Sequence, residues 1–131
     1  MMIDPAQPPR SPGCVDCETG AGWWLHLRRC ASCGNIGCCD TSPSRHARAH
    51  LAATGHRIVQ SFEPHETWFG DLVTGTVFDG PRLADPQHHP WAGGPGPPGR
   101  VPRDWRETLR VLLLIELVGP APATRPPRPR R

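Results

Sequence analysis

Residues 14–56 read CVDCETGAGWWLHLRRCASCGNIGCCDTSPSRHARAHLAATGH, and this stretch decides the fold. It holds all six cysteines, at 14, 17, 30, 33, 38 and 39, and four histidines, of which His46, His50 and His56 follow the cysteines at ligand spacing. Two Cys-x2-Cys pairs followed by His-x3-His-x5-His place nine candidate metal ligands within 43 residues. Zinc takes thiolate and imidazole, and a closed shell of four makes a structural site, so two ions would use eight of the nine. A lone Cys is most often a small buried hydrophobe, but that does not account for nine such residues together. A redox dithiol would want a low-pKa pair at a helix N-terminus, and both pairs here read as preceding turns.

Around these ligands the chain reads as short strands and one clear helix. Trp23 to Arg28 alternates between faces, with Trp23, Leu25 and Leu27 on one and Trp24, His26 and Arg28 on the other, which predicts a strand. Gly34-Asn35-Ile36-Gly37 reads as a turn. Ser42 suits an N-cap, Pro43 the first helical position, and Gly55 the left-handed residue that closes a helix through Thr54. His46 and His50 then share a helix face. Arg57–Phe62, Thr67–Phe69 and Thr74–Phe78 read as further strands. The expected fold class is α+β: a small zinc-stabilised module, with an antiparallel sheet, one or two helices and two zinc sites.

Composition bounds this module. The chain has 131 residues with 18 Pro and 14 Gly, and the prolines concentrate at the two ends. The expected organisation is a disordered leader (1–12), the zinc module (13–78) and a Pro/Gly-rich linker (79–103). A short helix (104–118), opened by Asp104-x-x-Glu107, and an Arg/Pro-rich disordered tail (119–131) complete it. A core of about 65 residues rarely supplies more than roughly 3–5 kcal/mol, so a staple is required. Structural zinc in small fingers contributes on the order of 10–16 kcal/mol of apparent binding. Met1–Gly13 has no apolar signal region and nothing approaches a membrane span, so a cytoplasmic protein with reduced thiols and no membrane partner is expected.

The same segments show a wider pattern. Cys14-x2-Cys17, Trp24-Leu25-His26-Leu27, Cys30-x2-Cys33-x4-Cys38, His46-x3-His50-x5-His56 and Trp68 together resemble the UBP-type zinc finger. That is the ubiquitin-binding finger of many ubiquitin-specific proteases and of one class of histone deacetylase. Gly37-Cys38-Cys39-Asp40 and Ser61-Phe62-Glu63-Pro64 most resemble its stand-alone bacterial versions, and the likeness covers about residues 13–72. The resemblance implies two interleaved structural Zn²⁺ sites. Cys14, Cys17, Cys38 and His46 would hold one ion; Cys30, Cys33, His50 and His56 would hold the other. Cys39 is left over at a position usually filled by Gly, with an exchange of Cys38 and Cys39 left open.

In that family the pocket takes the free C-terminal Gly-Gly of ubiquitin. An aromatic at the position of Trp68 packs on the peptide, and an Arg at the position of Asp40 meets its carboxylate. Carboxylate repels carboxylate, so Asp40 predicts that the usual tail capture fails here. Ordinary sheet packing accounts for Trp68 equally well. Catalysis is not expected. His46-Ala47-Arg48-Ala49-His50 lacks the Glu of a metalloprotease, closed zinc shells leave no open position, and the glycines at 93–99 lie between prolines. A non-catalytic module that binds a protein or peptide terminus is therefore expected. The alternative is a zinc-stabilised nucleic-acid binder using the Arg-rich tail. All 15 basic residues are Arg, but 14–78 is slightly acidic even before the zinc thiolates are counted, which disfavours phosphate.

Overall fold

The computed structural model describes residues 2–118, which fall into two units divided after Val101. The first unit is built on a five-stranded antiparallel sheet in the order β2-β1-β3-β4-β5. The strands are β1 (Leu27–Cys30), β2 (Ile36–Cys38), β3 (Ile58–Ser61), β4 (Phe69–Asp71) and β5 (Val77–Phe78). Register is set by Leu27 opposite Cys38, Cys30 opposite Val59, Val59 opposite Gly70 and Phe69 opposite Phe78. A short helix, α1 (Val15–Thr19), precedes the sheet, and α2 (His46–Thr54) packs beside β1 and β2. The α+β class is as predicted, with several local differences.

β1 begins at Leu27 rather than Trp23, because Trp24 is engaged elsewhere: it forms an isolated antiparallel bridge with Gly96. β2 falls where the glycines and Asn35 read as a turn; burial of Ile36 and Cys38 overrides that local preference. α2 starts later than its Ser-Pro signal predicts. Ser42 Oγ accepts from the Leu25 N–H at 2.9 Å, so it is not free to cap. The N-cap position is Arg45, in the left-handed region at φ 50°, and the His46 N–H donates to Cys38 Sγ at 3.1 Å. A sulfur thus takes one of the donors that a helix start leaves open. Gly55 closes α2 at φ 79°, its N–H bonded to the Leu51 carbonyl.

The ends of the finger depart furthest from expectation. Residues 2–12, predicted to be a disordered leader, run along the sheet: the Asp4 N–H donates to Ala31 O and the Arg10 N–H to Gly34 O. Residues 79–101, predicted to be a linker, are packed down as a strap. Leu83 is buried with Ala31, Ile58 and Phe69, with Ile3 and Phe78 against them. Arg29, fully buried, donates to Gln7 O at 2.6 Å and to Pro86 O at 3.0 Å, joining leader and strap. A second cluster gathers Trp24, Leu27, Ile36 and Phe62 around Cys14, Cys17 and Cys38. Proline-rich composition argues against regular structure, but it does not prevent irregular chain from packing where Leu83, His89 and Trp91 supply contacts.

In the second unit, α3 (Trp105–Val118) covers the region read as a short helix. Glu107 pairs with Arg110 at 2.6 Å, an exposed i,i+3 contact, rather than reaching back to Asp104 as a capping box would. Val111, Leu112 and Leu114 are exposed. No helix among the described residues is long and apolar enough to cross a membrane. The predicted Arg/Pro-rich tail, 119–131, lies outside the described residues.

Candidate metal centres and adjacent cleft

Two groups of Cys and His converge, each with its ligand atoms within 4.8 Å of one another. Cys14 comes from the N-cap of α1, Cys17 from inside that helix, Cys38 from the end of β2 and His46 from the first turn of α2. His46 Nδ1 stands 3.3, 3.2 and 3.5 Å from the sulfurs of Cys14, Cys17 and Cys38, and Cys17 Sγ lies 3.9 Å from Cys38 Sγ. A tetrahedral zinc with ordinary bond lengths spaces such donors by about 3.5–3.8 Å. The first Cys pair therefore opens a helix, where the sequence reads a turn. Even so, its sulfurs face a third sulfur and an imidazole rather than standing as an isolated dithiol.

The second group joins Cys30 at the end of β1, Cys33 in the following turn, His50 on α2 and His56 just past Gly55. Cys33 Sγ is 3.3 Å from His50 Nε2, Cys30 Sγ 3.5 Å from His56 Nδ1, and the two imidazole nitrogens are 3.3 Å apart. α2 presents one histidine to each group, one turn apart, so the centres interleave. These are the same two quartets that the resemblance implies, and they fit two zinc ions. Cys39 is in neither. Its sulfur lies 3.2 Å from both Thr41 Oγ1 and Ser42 Oγ.

The sulfurs of each group compete for protons. Hydrogen bonds from Cys17 and Cys38 hold the Cys14 thiol well below its usual range, while the same contacts push Cys17 and Cys38 up. Three crowded sulfurs share too few protons, and a dication in their midst replaces the shared protons outright. Burial pushes the Cys30 thiol up; burial, then the neighbouring His56, pushes His50 down, favouring the neutral imidazole a metal takes.

Beside the metal centres a cleft of about 270 Å³ lies between α2 and the β4–β5 hairpin. Arg28, Asp40, Arg48, Trp68, Leu72 and Val77 line it. Both predicted binding residues, Trp68 and Asp40, are thus brought to one place, but the electrostatics differ from the expectation. Asp40 is not an unbalanced anion. Arg48 Nε and Nη2 grip its two oxygens at 3.0 and 2.8 Å, and Arg48 Nη1 also donates to the Leu72 carbonyl. Asp71, on the same wall, is paired with Arg57 at 2.8 Å. Arg28 was not singled out from the sequence. Its guanidinium carbon sits 4.7 Å from the Trp68 ring centroid, and no carboxylate pairs with it among the described residues. Its position on the same alternating face as Trp24 and His26 was the available signal. Trp68 therefore does more than fill the sheet: it carries a cation on its face at the rim of a cleft.

No Cys–His pair of nucleophile and base is formed among the described residues outside the metal quartets, since His26 Nδ1 is 2.7 Å from Glu63 and Cys39 bonds to hydroxyls.

The family described as "Zn-finger in ubiquitin-hydrolases and other protein" matches over residues 14–74. Among solved structures, the chain is similar to protein RPA1320 from Rhodopseudomonas palustris, determined by solution NMR. The two are 40% identical, the match covers 65% of this chain and 79% of that one, and the TM-score is 0.54. No curated protein matches the chain.

Proposed function

This chain belongs to the family of zinc fingers found in ubiquitin hydrolases and other proteins, and we propose that it is a non-catalytic module that binds the end of a protein or peptide chain. Cys14, Cys17, Cys38 and His46 hold one structural Zn²⁺, and Cys30, Cys33, His50 and His56 the other. Both ions act by tying β1, β2, α1 and α2 together rather than by chemistry, because four protein ligands leave no position for substrate. Six cysteines outside any disulfide, five of them in the zinc quartets, suit a reducing compartment, and we place the module in the cytoplasm.

The observation that carries the binding role is the cleft in which Arg28 lies on Trp68. An extended peptide end can lay its backbone on the indole while Arg28 meets the terminal carboxylate. The mode differs from the family's, in which an Arg at the Asp40 position does this work. Here the Asp40–Arg48 pair is internally neutral, so it neither attracts nor strongly repels, and the cation comes from β1 instead. Exposed Val77 at the cleft extends the contact surface with apolar area.

The test is calorimetric titration of the zinc-loaded chain with a peptide ending in Gly-Gly as the free acid, and with its C-terminal amide. The acid should bind more tightly by roughly tenfold or more, the worth of one charge-assisted contact, and Arg28→Gln should erase the difference. Equal binding of acid and amide, or no binding of either, rejects this reading.

A further inference from the structure

The strap at 79–101 is fastened by contacts of two kinds. Leu83 in the apolar cluster, the Pro86 carbonyl on Arg29, the Trp24–Gly96 bridge and Arg100 on the Cys17 carbonyl do not titrate near neutrality. One other contact runs through a carboxylate that two histidines share. His89 is 1% exposed; its N–H donates to Phe62 O, and its Nε2 lies 2.5 Å from Glu63 Oε2. The other oxygen of Glu63 lies 2.7 Å from His26 Nδ1. A buried carboxylate is thus gripped between one imidazole of the sheet and one of the strap.

The two imidazoles are not equivalent. His89 Nδ1 is buried without a hydrogen-bond partner among the described residues. Its Nε2 donates to the Glu63 carboxylate, and the ring has no open path to water. The His26 side chain is 42% exposed and exchanges its proton with water. Its hydrogen bond to Glu63 raises its pKa against the opposing effect of burial; Cys39 raises it further and Arg28 lowers it. Burial pushes Glu63 up, but hydrogen bonds from His26 and His89 outweigh this and hold it at about 2. While His26 is charged, Glu63 is balanced. When His26 is neutral, Glu63 loses the cation on its water-facing side, and hydrating the carboxylate in its place requires the seal formed by His89 to lift.

We propose that His26, Glu63 and His89 form a proton-operated latch that keeps the strap on the finger while His26 is charged and loosens it when His26 is neutral. The stabilisation is fully present below the ordinary histidine value and is lost as pH rises through the higher folded-state value of His26. Glu63 titrates too far below this window to contribute. Loosening uncovers the rings of Trp24 and Phe62, against which Trp91 and His89 now pack. The latch therefore makes an apolar aromatic face available on the alkaline side.

The experiment is amide hydrogen exchange by NMR on the zinc-loaded full chain from about pH 6.5 to 9.5, corrected for intrinsic rates. Protection at Gly96 and His89 should fall by roughly tenfold across this range, the difference between a charge-assisted and a neutral hydrogen bond, while the sheet amides of Ile36 and Val59 hold. His26→Gln should remove the pH dependence and leave these amides at the wild-type alkaline level. A flat wild-type profile, an unchanged slope in His26→Gln, or sheet amides falling in step would each overturn the latch. Side-chain nitrogen NMR of the wild type gives a second reading that needs no variant. His26 should titrate above the ordinary histidine value, and a His26 that titrates at or below it overturns the proposal.

Discussion

Gly37→Ala isolates how tightly the metal centres depend on helix–strand contact. Gly37 lies in β2 directly beneath the start of α2. A Cβ at this position would stand 2.5 Å from Ala47 N, 2.7 Å from Ala47 Cα and 2.9 Å from the carbonyl carbon of His46. These are backbone atoms and cannot rotate away, so α2 and β2 must separate by about 1 Å to restore ordinary contact. The residues on either side of this contact are Cys38 and His46, which lie together in the first Cys/His group. Zinc geometry tolerates displacements of only about 0.2 Å, so the separation needed exceeds that tolerance severalfold. Overpacking alone costs about 1–3 kcal/mol, and weakened coordination adds to it. The expected outcome is a lower thermal midpoint together with at least tenfold weaker zinc binding in competition with a chromophoric chelator. Gly75→Ala is the control, because a Cβ there meets nothing within 4 Å. It bears only the strain of its positive φ and should leave zinc affinity unchanged. If Gly37→Ala binds zinc as tightly as the wild type, the close packing of β2 on α2 does not set the first centre.

Further outcomes test the staple and the extent of the folded unit. Native mass spectrometry should find two zinc ions per chain, and circular dichroism should collapse on addition of a strong chelator. Cys30→Ser and His56→Ala should each release one ion and Cys39→Ala none; loss of metal from Cys39→Ala would mean the wrong sulfur has been assigned. Leu83→Ala should lower the stability of the zinc-loaded chain by about 2–4 kcal/mol, as for other buried leucines. A change below about 0.5 kcal/mol in thermal or denaturant unfolding would instead return residues 79–101 to the status of a linker.

What could be read from the amino-acid order alone was local. The donors of the two metal groups lie in short stretches, and zinc chemistry constrains which residue types serve and how many are needed, so spacing carries most of that information. The helix end at Gly55 and the existence of the later strands are legible for the same reason: capping and alternation act over a few residues. Spacing left two matters open that depend on long-range placement. Cys38 and Cys39 are adjacent and chemically identical, and only the register of β2 against Leu27 turns one sulfur towards His46 and the other towards Ser42. Asp40 reads as a lone anion until Arg48 is brought against it by the turn into α2.

Composition misread both ends of the finger, where proline and glycine counts describe the absence of regular structure but not the absence of packing. Leu83, His89 and Trp91 are three residues scattered through a segment that has no period to reveal them. Their role appears only when the strap meets Ile58 and Phe69 through Leu83, Glu63 and Phe62 through His89, and Trp24 through Trp91, all distant in the chain. Residue type and spacing pointed to zinc because ligand chemistry is short-ranged, but which ligands share an ion depends on segments that meet only in the fold. Tertiary structure decided the charge of the cleft and the latch on the strap, because Coulomb interactions and burial depend on which distant segments come into contact.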